Sequence, residues 1–136
     1  PGNCLAAWTA IDDTDAENGA MYLIPRTNRA QLVCPGDADP ETSFTIHYVP
    51  IPNNERPLLA EMKSGDTLFF NGNVIHGSAP NFSTNRFRRS FICHYVPSNT
   101  VTISHQYLPL VNQNGDDVLV SANEKGNVCG QVRANY

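Results

Sequence analysis

Short apolar runs separated by clusters of Gly, Pro, Asn and Asp make up most of the chain. Runs of this kind, bounded by turn-forming residues, are typical of β-strands, and no segment longer than a turn or two shows the periodicity of a helix. Many short strands with turns between them favour a β-sandwich or barrel. The predicted strands are Cys4–Ile11, Ala20–Ile24, Ser43–Val49, Leu58–Met62, a single strand formed by Thr67–Phe70 and Asn73–His76 with an irregularity at Gly72, Arg86–Val96, Val101–Ile103 and Val118–Val120.

The polar segment Asp12–Gly19 separates the first two predicted strands. It ends in Asn18-Gly19, and Asn-Gly is a strong signal for a hairpin turn. The pattern therefore predicts a strand, a turn and a second strand within the first part of the chain. The carboxylates Asp12 and Asp13 are expected to lie in a solvated loop.

Length and composition are those of a folded domain. The 136 residues, of which 40% are hydrophobic and 16% charged, predict a single domain over residues 1–136 with its own core. The net charge of −4 argues against nucleic-acid and anionic-membrane partners. Since no apolar run has the length of a membrane span and no signal-peptide pattern opens the chain, a cytoplasmic location is expected. The cysteines are widely spaced without a C-x-x-C pair, which favours reduced thiols.

Candidate chemistry is concentrated in Lys63–Pro97, where a strand ends at His76 and a polar loop leads to a strand that carries Arg88. A buried guanidinium is costly without a partner, and its planar fork suits a carboxylate. The residues thus indicate a metal-competent imidazole and a carboxylate-binding arginine, although a structural histidine and a solvated arginine cluster fit them as well. Strand alternation places Arg88, Ser90, Ile92 and His94 on one face and Arg89, Phe91, Cys93 and Tyr95 on the other.

Several motifs occur together in this chain. They are GDTLFF at 65–70, HGSAPN at 76–81, RRS at 88–90 leading to His94-Tyr95, and, further upstream, AWTAIDD at 7–13 and ENG at 17–19. Together they resemble the catalytic core of the phytanoyl-CoA dioxygenase family of Fe(II)- and 2-oxoglutarate-dependent oxygenases. The resemblance covers about residues 4–110, and the block from His76 to Arg88 is its specific part.

The resemblance implies an all-β fold, the double-stranded β-helix or jelly roll shared with cupins, incomplete here at its N-terminus. It implies Fe(II) and 2-oxoglutarate as cofactor and co-substrate, and a small molecule as the prime substrate. By position, His76 would be one ligand of the iron, and Arg88 would bind the distal carboxylate of 2-oxoglutarate. Ser78 and Trp8 would line the co-substrate pocket, and Ser90 would assist Arg88. No catalytic residue is implied beyond these.

The sequence departs from the family pattern in three places. The His-x-Asp pair that supplies the other two iron ligands is absent, because only seven residues precede Trp8 and none is His or Asp. The family's P-G-S/T-H is replaced by Pro25-Arg26-Thr27-Asn28. One residue is inserted between Ser83 and Arg88, which a loop tolerates.

Two functional hypotheses follow. The chain is either the C-terminal part of the core of a hydroxylase-type dioxygenase, or a truncated, non-catalytic jelly roll used for binding or assembly. A jelly roll without its N-terminal elements would expose hydrophobic surface, so a homo-oligomer or an N-terminal segment packed on that surface is expected. The prime substrate, and the choice between hydroxylation and halogenation, stay open at this point.

Overall fold

The computed structural model describes residues 4–41, 43, 45, 47–52 and 55–123 of the chain. Apart from two short 3-10 helices, at Thr27–Arg29 and His105–Tyr107, the regular elements in these residues are strands, which confirms the all-β prediction.

The chain divides into two compact units, Pro1–Val96 and Pro97–Tyr136, and the single domain over residues 1–136 stays a prediction. The strands are β1 (Leu5–Ala10), β2 (Met21–Leu23), β3 (Gly36–Asp37), β4 (His47–Tyr48), β5 (Leu58–Ala60), β6 (Thr67–Asn71), β7 (His76–Ser78), β8 (Ser90–Tyr95), β9 (Thr102–Ile103), β10 (Leu110–Val111), β11 (Asp117–Val118) and β12 (Ser121–Ala122).

Two three-stranded antiparallel sheets form the first unit. The first sheet has the order β6-β1-β8, and the second has the order β5-β2-β7. The chain therefore changes sheet between β1 and β2, and again at each step from β5 to β8. A separate antiparallel pair joins β3 to β4. Repeated crossing between two sheets brings residues that are distant in sequence onto facing surfaces.

The hydrophobic core of the first unit contains residues from both sheets. Trp8 and Ala10 on β1 are each 1% exposed, and they pack with Met21 of β2. Leu68 and Phe70 of β6 pack against this cluster, as their antiparallel register with β1 places them on the same face. The largely apolar sequence of β1 fits its central position in the sheet.

The predicted hairpin between the first two strands is wrong, because β1 and β2 belong to different sheets. Residues 11–20 do not return the chain alongside β1. Instead, Thr14 pairs with Met62, with backbone N–H···O distances of 2.8 and 3.0 Å. An Asn-Gly pair specifies a local turn, but the partner of each strand is decided by segments much further along the chain.

The predicted single strand through Gly72 is also wrong. β6 ends at Asn71, and a turn in which the Val74 N–H donates to the Asn71 carbonyl, at 3.1 Å, sends the chain to the second sheet. The Asn71 side-chain amide donates to the Asn28 carbonyl at 3.0 Å and fixes this turn. β7 therefore begins at His76 and pairs with β2. The strand predicted over 86–96 starts four residues later, at Ser90.

The second unit contains two short strand pairs. β10 and β11 form an antiparallel pair around a turn at Asn112–Asp116, in which Gly115 takes a φ of 86°. β9 and β12 pair in parallel. These pairs include parts of the strands predicted at Val101–Ile103 and Val118–Val120.

The outer face of the first sheet exposes large hydrophobic side chains. Phe69 and Phe91 are 61% and 63% exposed, and Leu5 and Tyr95 are also exposed. The register places them on the face opposite Trp8, since they alternate with the residues of the core. This agrees with the expectation of exposed hydrophobic surface on the jelly roll.

The cysteines of the described residues differ in their bonding. Cys4 and Cys93 are free and half-buried. Cys34 is in a disulfide, so the expectation of reduced thiols is wrong for this residue. Cys129 lies outside the described residues. None of the helices in the described ranges has the length and apolarity needed to cross a bilayer.

Candidate active site

His76 and Ser78 lie on the inner face of the second sheet. In the pairing of β2 with β7, Leu23 is opposite His76 and Met21 is opposite Ser78. Directly opposite residues of antiparallel strands share a face, and Met21 belongs to the core between the sheets. The His76 ring also contacts Phe70 of the first sheet, with ring centroids 4.6 Å apart. Both His76 and Ser78 are exposed, so this pair lies at an open edge of the sandwich.

The imidazole of His76 is oriented by a backbone carbonyl. Its Nδ1 lies 2.8 Å from the carbonyl oxygen of Val74. A carbonyl oxygen only accepts hydrogen bonds, so Nδ1 carries the proton and donates. In the neutral ring, the lone pair of Nε2 is then available to a ligand. A metal-binding histidine is commonly held in this way by its second nitrogen.

His76 is the residue predicted to bind iron. In the part of the chain that the structure describes, no group of three His, Cys, Asp or Glu side chains is placed to hold a metal ion. His76 thus fits one position of a facial triad, but the described residues do not supply the other two. The described residues alone therefore do not form a complete iron site.

Two of the three arginines within residues 86–89, directly before β8, are neutralised by carboxylates. Arg86 donates to both carboxylate oxygens of Asp15 at 2.7 Å and to Glu17 at 2.9 Å. Arg89 donates through Nε and Nη2 to Asp12 at 2.9 and 2.7 Å. These hydrogen bonds hold the pKa of Asp15 well below its usual range and lower the pKa of Asp12 to about 2. The planar fork geometry is the one in which guanidinium and carboxylate pair best.

Arg88 lies between these two arginines in the sequence. Within residues 4–41, 43, 45, 47–52 and 55–123, no carboxylate forms an ion pair with it. Its Nη2 donates to the Ser78 hydroxyl at 3.1 Å, and its side chain is half-buried. The structure therefore brings Arg88 and Ser78 together, next to His76 on β7. A half-buried guanidinium without a carboxylate is a candidate anion site.

Trp8 and Ser90 are placed differently from the other predicted site residues. Trp8 is buried in the core, with 1% of its surface exposed, and packs with Ala10 and Met21. Ser90 lies on the inner face of β8 opposite Ala10. Ser90 and Arg88, both within the described residues, are not hydrogen-bonded to each other. The roles of Trp8 and Ser90 at a co-substrate stay predictions.

Asn18 is buried beside the chain segment that carries Arg88, a position that the sequence did not indicate. Its side chain is completely buried, and its Nδ2 donates to the carbonyls of Asp13 and Phe87 at 2.8 and 3.0 Å. Its Oδ1 accepts from the Asp15 N–H at 2.8 Å. The segment 12–19, expected to be solvated, is therefore attached to the strand connection that carries Arg88. The signal in the sequence is the Asn18-Gly19 pair, which indicates a turn but not the burial of the Asn18 side chain.

The Asp12–Arg89 pair predicts a specific acid dependence of stability. The folded-state pKa of Asp12, about 2, is below the value of about 3.9 in an unfolded chain. The pair therefore stabilises the fold fully above about pH 4, and this contribution is lost as the pH falls towards 2. We expect Asp12→Asn to lower the melting temperature at pH 7, and the difference from wild type to narrow between about pH 4 and pH 2. Thermal unfolding followed by circular dichroism measures this, and a difference that is independent of pH would contradict it.

Comparison with known proteins assigns the family. The family model described as Phytanoyl-CoA dioxygenase (PhyH) matches residues 1–90. The chain belongs to the phytanoyl-CoA dioxygenase family. It is 35% identical over 104 residues to the peroxisomal phytanoyl-CoA dioxygenase of Bos taurus, and 29% identical over 99 residues to that of Homo sapiens. These matches cover 73% and 70% of this chain, but 30% and 29% of the relatives, so the chain spans less than a third of their length.

Solved structures of similar fold include the epimerase SnoN, in complex with Fe3+, alpha ketoglutarate and nogalamycin RO. That chain is 21% identical, with a TM-score of 0.53, and the match covers 93% of this chain and 49% of SnoN. A second structure, of the non-heme alpha ketoglutarate dependent epimerase SnoN from nogalamycin biosynthesis, is 23% identical with the same TM-score and covers 93% of this chain and 48% of the other. At these identities the likeness shows the fold alone, and it confirms the predicted jelly roll.

One departure from the phytanoyl-CoA dioxygenase family pattern has a visible structural consequence. Arg26, where the motif has glycine, takes a left-handed φ of 66°. Such a conformation is uncommon for residues other than glycine. Its guanidinium donates to both oxygens of Glu55 at 3.0 Å, which helps to hold this backbone turn.

Proposed function

We propose that the protein is an Fe(II)- and 2-oxoglutarate-dependent dioxygenase of the hydroxylase type that acts on a small-molecule substrate. In this proposal the chain represents part of the catalytic core. Membership of the phytanoyl-CoA dioxygenase family supports it. The observation that carries it is Arg88, a half-buried guanidinium without a carboxylate among the described residues, bonded to Ser78 on the strand that begins with His76.

Arg88 would bind the distal carboxylate of 2-oxoglutarate through its two terminal nitrogens. Ser78 accepts a hydrogen bond from Arg88 and so holds the guanidinium beside β7. Ser90 would assist Arg88, and Trp8 would support the wall of the pocket from the core. Each hydrogen bond to a charged group contributes about 1.5–3 kcal/mol, so the two hydrogen bonds from Arg88 to the carboxylate would dominate the affinity for the co-substrate.

His76 would hold Fe(II) through Nε2, while the Val74 carbonyl keeps Nδ1 protonated and the ring in place. When bound, the iron would supply the oxidising power by activating O2 with the 2-oxo acid. The contribution of the protein is to orient the co-substrate and to hold the imidazole in one tautomer. The other two ligands are not among the described residues.

Arg88→Ala is expected to weaken 2-oxoglutarate binding by about 10- to 100-fold, since it removes a charge-assisted carboxylate contact. Arg88→Lys keeps the charge but loses the fork, and should fall between the alanine variant and wild type. Isothermal titration of 2-oxoglutarate in the presence of Mn2+ measures the affinities. The matched control is Arg26→Ala, which removes an 80% exposed arginine paired with Glu55 and should leave the affinity unchanged. Equal affinities of Arg88→Ala and wild type would show that the assignment is wrong.

A non-catalytic jelly roll used for binding or assembly is the alternative. One observation favours it: the first sheet exposes a hydrophobic face that includes Phe69 and Phe91, as a surface used for assembly would. The two functions differ in turnover. Formation of succinate from 2-oxoglutarate with Fe(II) and O2 would support the dioxygenase, whereas tight binding without succinate would support the alternative.

Location and assembly are further proposals. We keep a cytoplasmic location as a prediction, although the mammalian relatives in the comparison carry the name peroxisomal. A homo-oligomer, or a further segment packed on the jelly roll, is supported by the exposed outer face of the first sheet, which includes Phe69 and Phe91. Neither nucleic acid nor membrane is proposed as a partner.

A further inference from the structure

Residues 79–89 connect β7 to β8 and include Arg88. On both sides of Arg88, this connection is hydrogen-bonded to residues 11–19, the segment that follows β1. On one side, the Phe87 carbonyl accepts from the Asn18 amide at 3.0 Å. On the other side, the Arg89 N–H donates to the Asp12 carboxylate at 2.9 Å, and the Arg89 carbonyl accepts from the Ile11 N–H at 3.0 Å. The backbone on both sides of Arg88 is thus held by residues that were brought there by the fold.

The Asn18 side chain is fixed by its burial and by its hydrogen bonds. It is completely buried, both hydrogens of Nδ2 have carbonyl acceptors, and Oδ1 accepts from the Asp15 N–H. Rotation of the amide would leave buried polar groups without partners, at a cost of about 1–3 kcal/mol for each group. The Phe87 carbonyl is therefore held at a defined position next to Arg88.

The side chains on either side of Arg88 are fixed and neutralised as well. Asp12 binds Arg89 through both carboxylate oxygens, and Asp15 binds Arg86 in the same way. These pairs keep Arg86 and Arg89 from competing for an incoming carboxylate. They also keep nearby carboxylates occupied, so that the positive charge of Arg88 is not cancelled by Asp12 or Asp15.

We propose that Asp12 and Asn18 are positioning residues for Arg88, which hold its backbone so that the guanidinium meets Ser78 and the carboxylate of 2-oxoglutarate. The proposal rests on the proposed function, because it needs Arg88 to bind the co-substrate. It goes beyond that function by assigning a role at the site to a segment that does not contact the ligand itself.

Asp13 provides a matched control within the same segment. Its carboxylate binds Lys63 at 2.8 Å and the Ser64 N–H at 2.8 Å, so it attaches the segment to a different turn. Asp12→Ala and Asp13→Ala each remove one exposed ion pair from adjacent positions. They differ in whether that pair adjoins Arg88.

The test combines these variants with Arg88→Lys in a double-mutant cycle, with 2-oxoglutarate in the presence of Mn2+ as the titrated probe. We expect Asp12→Ala to weaken binding about 10-fold in the wild-type background and less than about 2-fold in the Arg88→Lys background, since coupling of this size is usual for neighbouring groups. Asp13→Ala should stay within about 2-fold of its parent in both backgrounds. Asn18→Ala should behave like Asp12→Ala where circular dichroism shows it folded.

Each outcome of this cycle has a defined meaning. A loss from Asp12→Ala that is the same in both backgrounds, or that Asp13→Ala reproduces, indicates a structural role only and overturns the proposal. If Asn18→Ala does not fold, the comparison of Asp12 with Asp13 decides alone. Absence of 2-oxoglutarate binding by the wild-type protein would instead overturn the proposed function, and the positioning role with it.

Discussion

Trp8→Ala is expected to lower the free energy of unfolding by about 3–5 kcal/mol, the range for truncating a buried aromatic side chain. Trp8 is 1% exposed and lies on the central strand of the first sheet, where it packs with Ala10 and Met21. Met21 comes from the second sheet, so the indole joins the two layers of the sandwich. The cavity left by alanine would border side chains of both sheets, and neither backbone can close it without breaking strand pairs.

Urea denaturation followed by circular dichroism measures this loss. Phe69→Ala is the matched control, since it truncates an aromatic side chain on the opposite face of the same sheet, where Phe69 is 61% exposed. It should cost less than about 1 kcal/mol. Similar losses for the two variants would show that the core does not lie between the sheets. A small loss for Trp8→Ala alone would contradict the burial of the indole.

Gly19→Ala is expected to destabilise the fold by about 2–5 kcal/mol, for two reasons that add. Gly19 has a φ of 82°, which costs a residue with a Cβ about 1–2 kcal/mol. A Cβ there would also lie 2.5 Å from the Ala79 carbonyl oxygen and 3.0 Å from that of Pro80. Because these are backbone atoms, they must move, and overpacking of this kind costs about 1–3 kcal/mol. The displaced loop directly follows Ser78, so 2-oxoglutarate binding should weaken in the same variant.

Two other glycines separate these contributions. Gly65 has a φ of 95°, but nothing lies within 4 Å of the position that a Cβ would occupy, so Gly65→Ala isolates the backbone cost. Gly36 has neither feature, and Gly36→Ala should be nearly neutral. Chemical denaturation of the three variants should rank the losses as Gly19, then Gly65, then Gly36. Equal losses at Gly19 and Gly65 would show that the contact with Ala79 and Pro80 does not constrain the loop.

Only part of the candidate site could be predicted from the sequence. The motif from His76 to Arg88 identified the two residues with the clearest chemistry, because its residue types and spacing are specific. It did not show which of Arg86, Arg88 and Arg89 are neutralised by carboxylates, although the three are close in sequence. That difference comes from Asp12, Asp15 and Glu17, which neutralise the outer two arginines from a segment about seventy residues earlier.

Local patterns in the chain predicted its all-β character and the position of most strands, because alternation and turn residues act within a few positions. The resemblance of its motifs to the family pattern predicted His76, Ser78 and Arg88 as candidate site residues. The three-dimensional arrangement was needed to show that β1 and β2 join different sheets, that the chain turns at Gly72 into a second strand, and that Asn18 is buried against Phe87. Strand partners, ion pairs and buried hydrogen bonds depend on groups distant in sequence, and their meeting is a property of the whole fold.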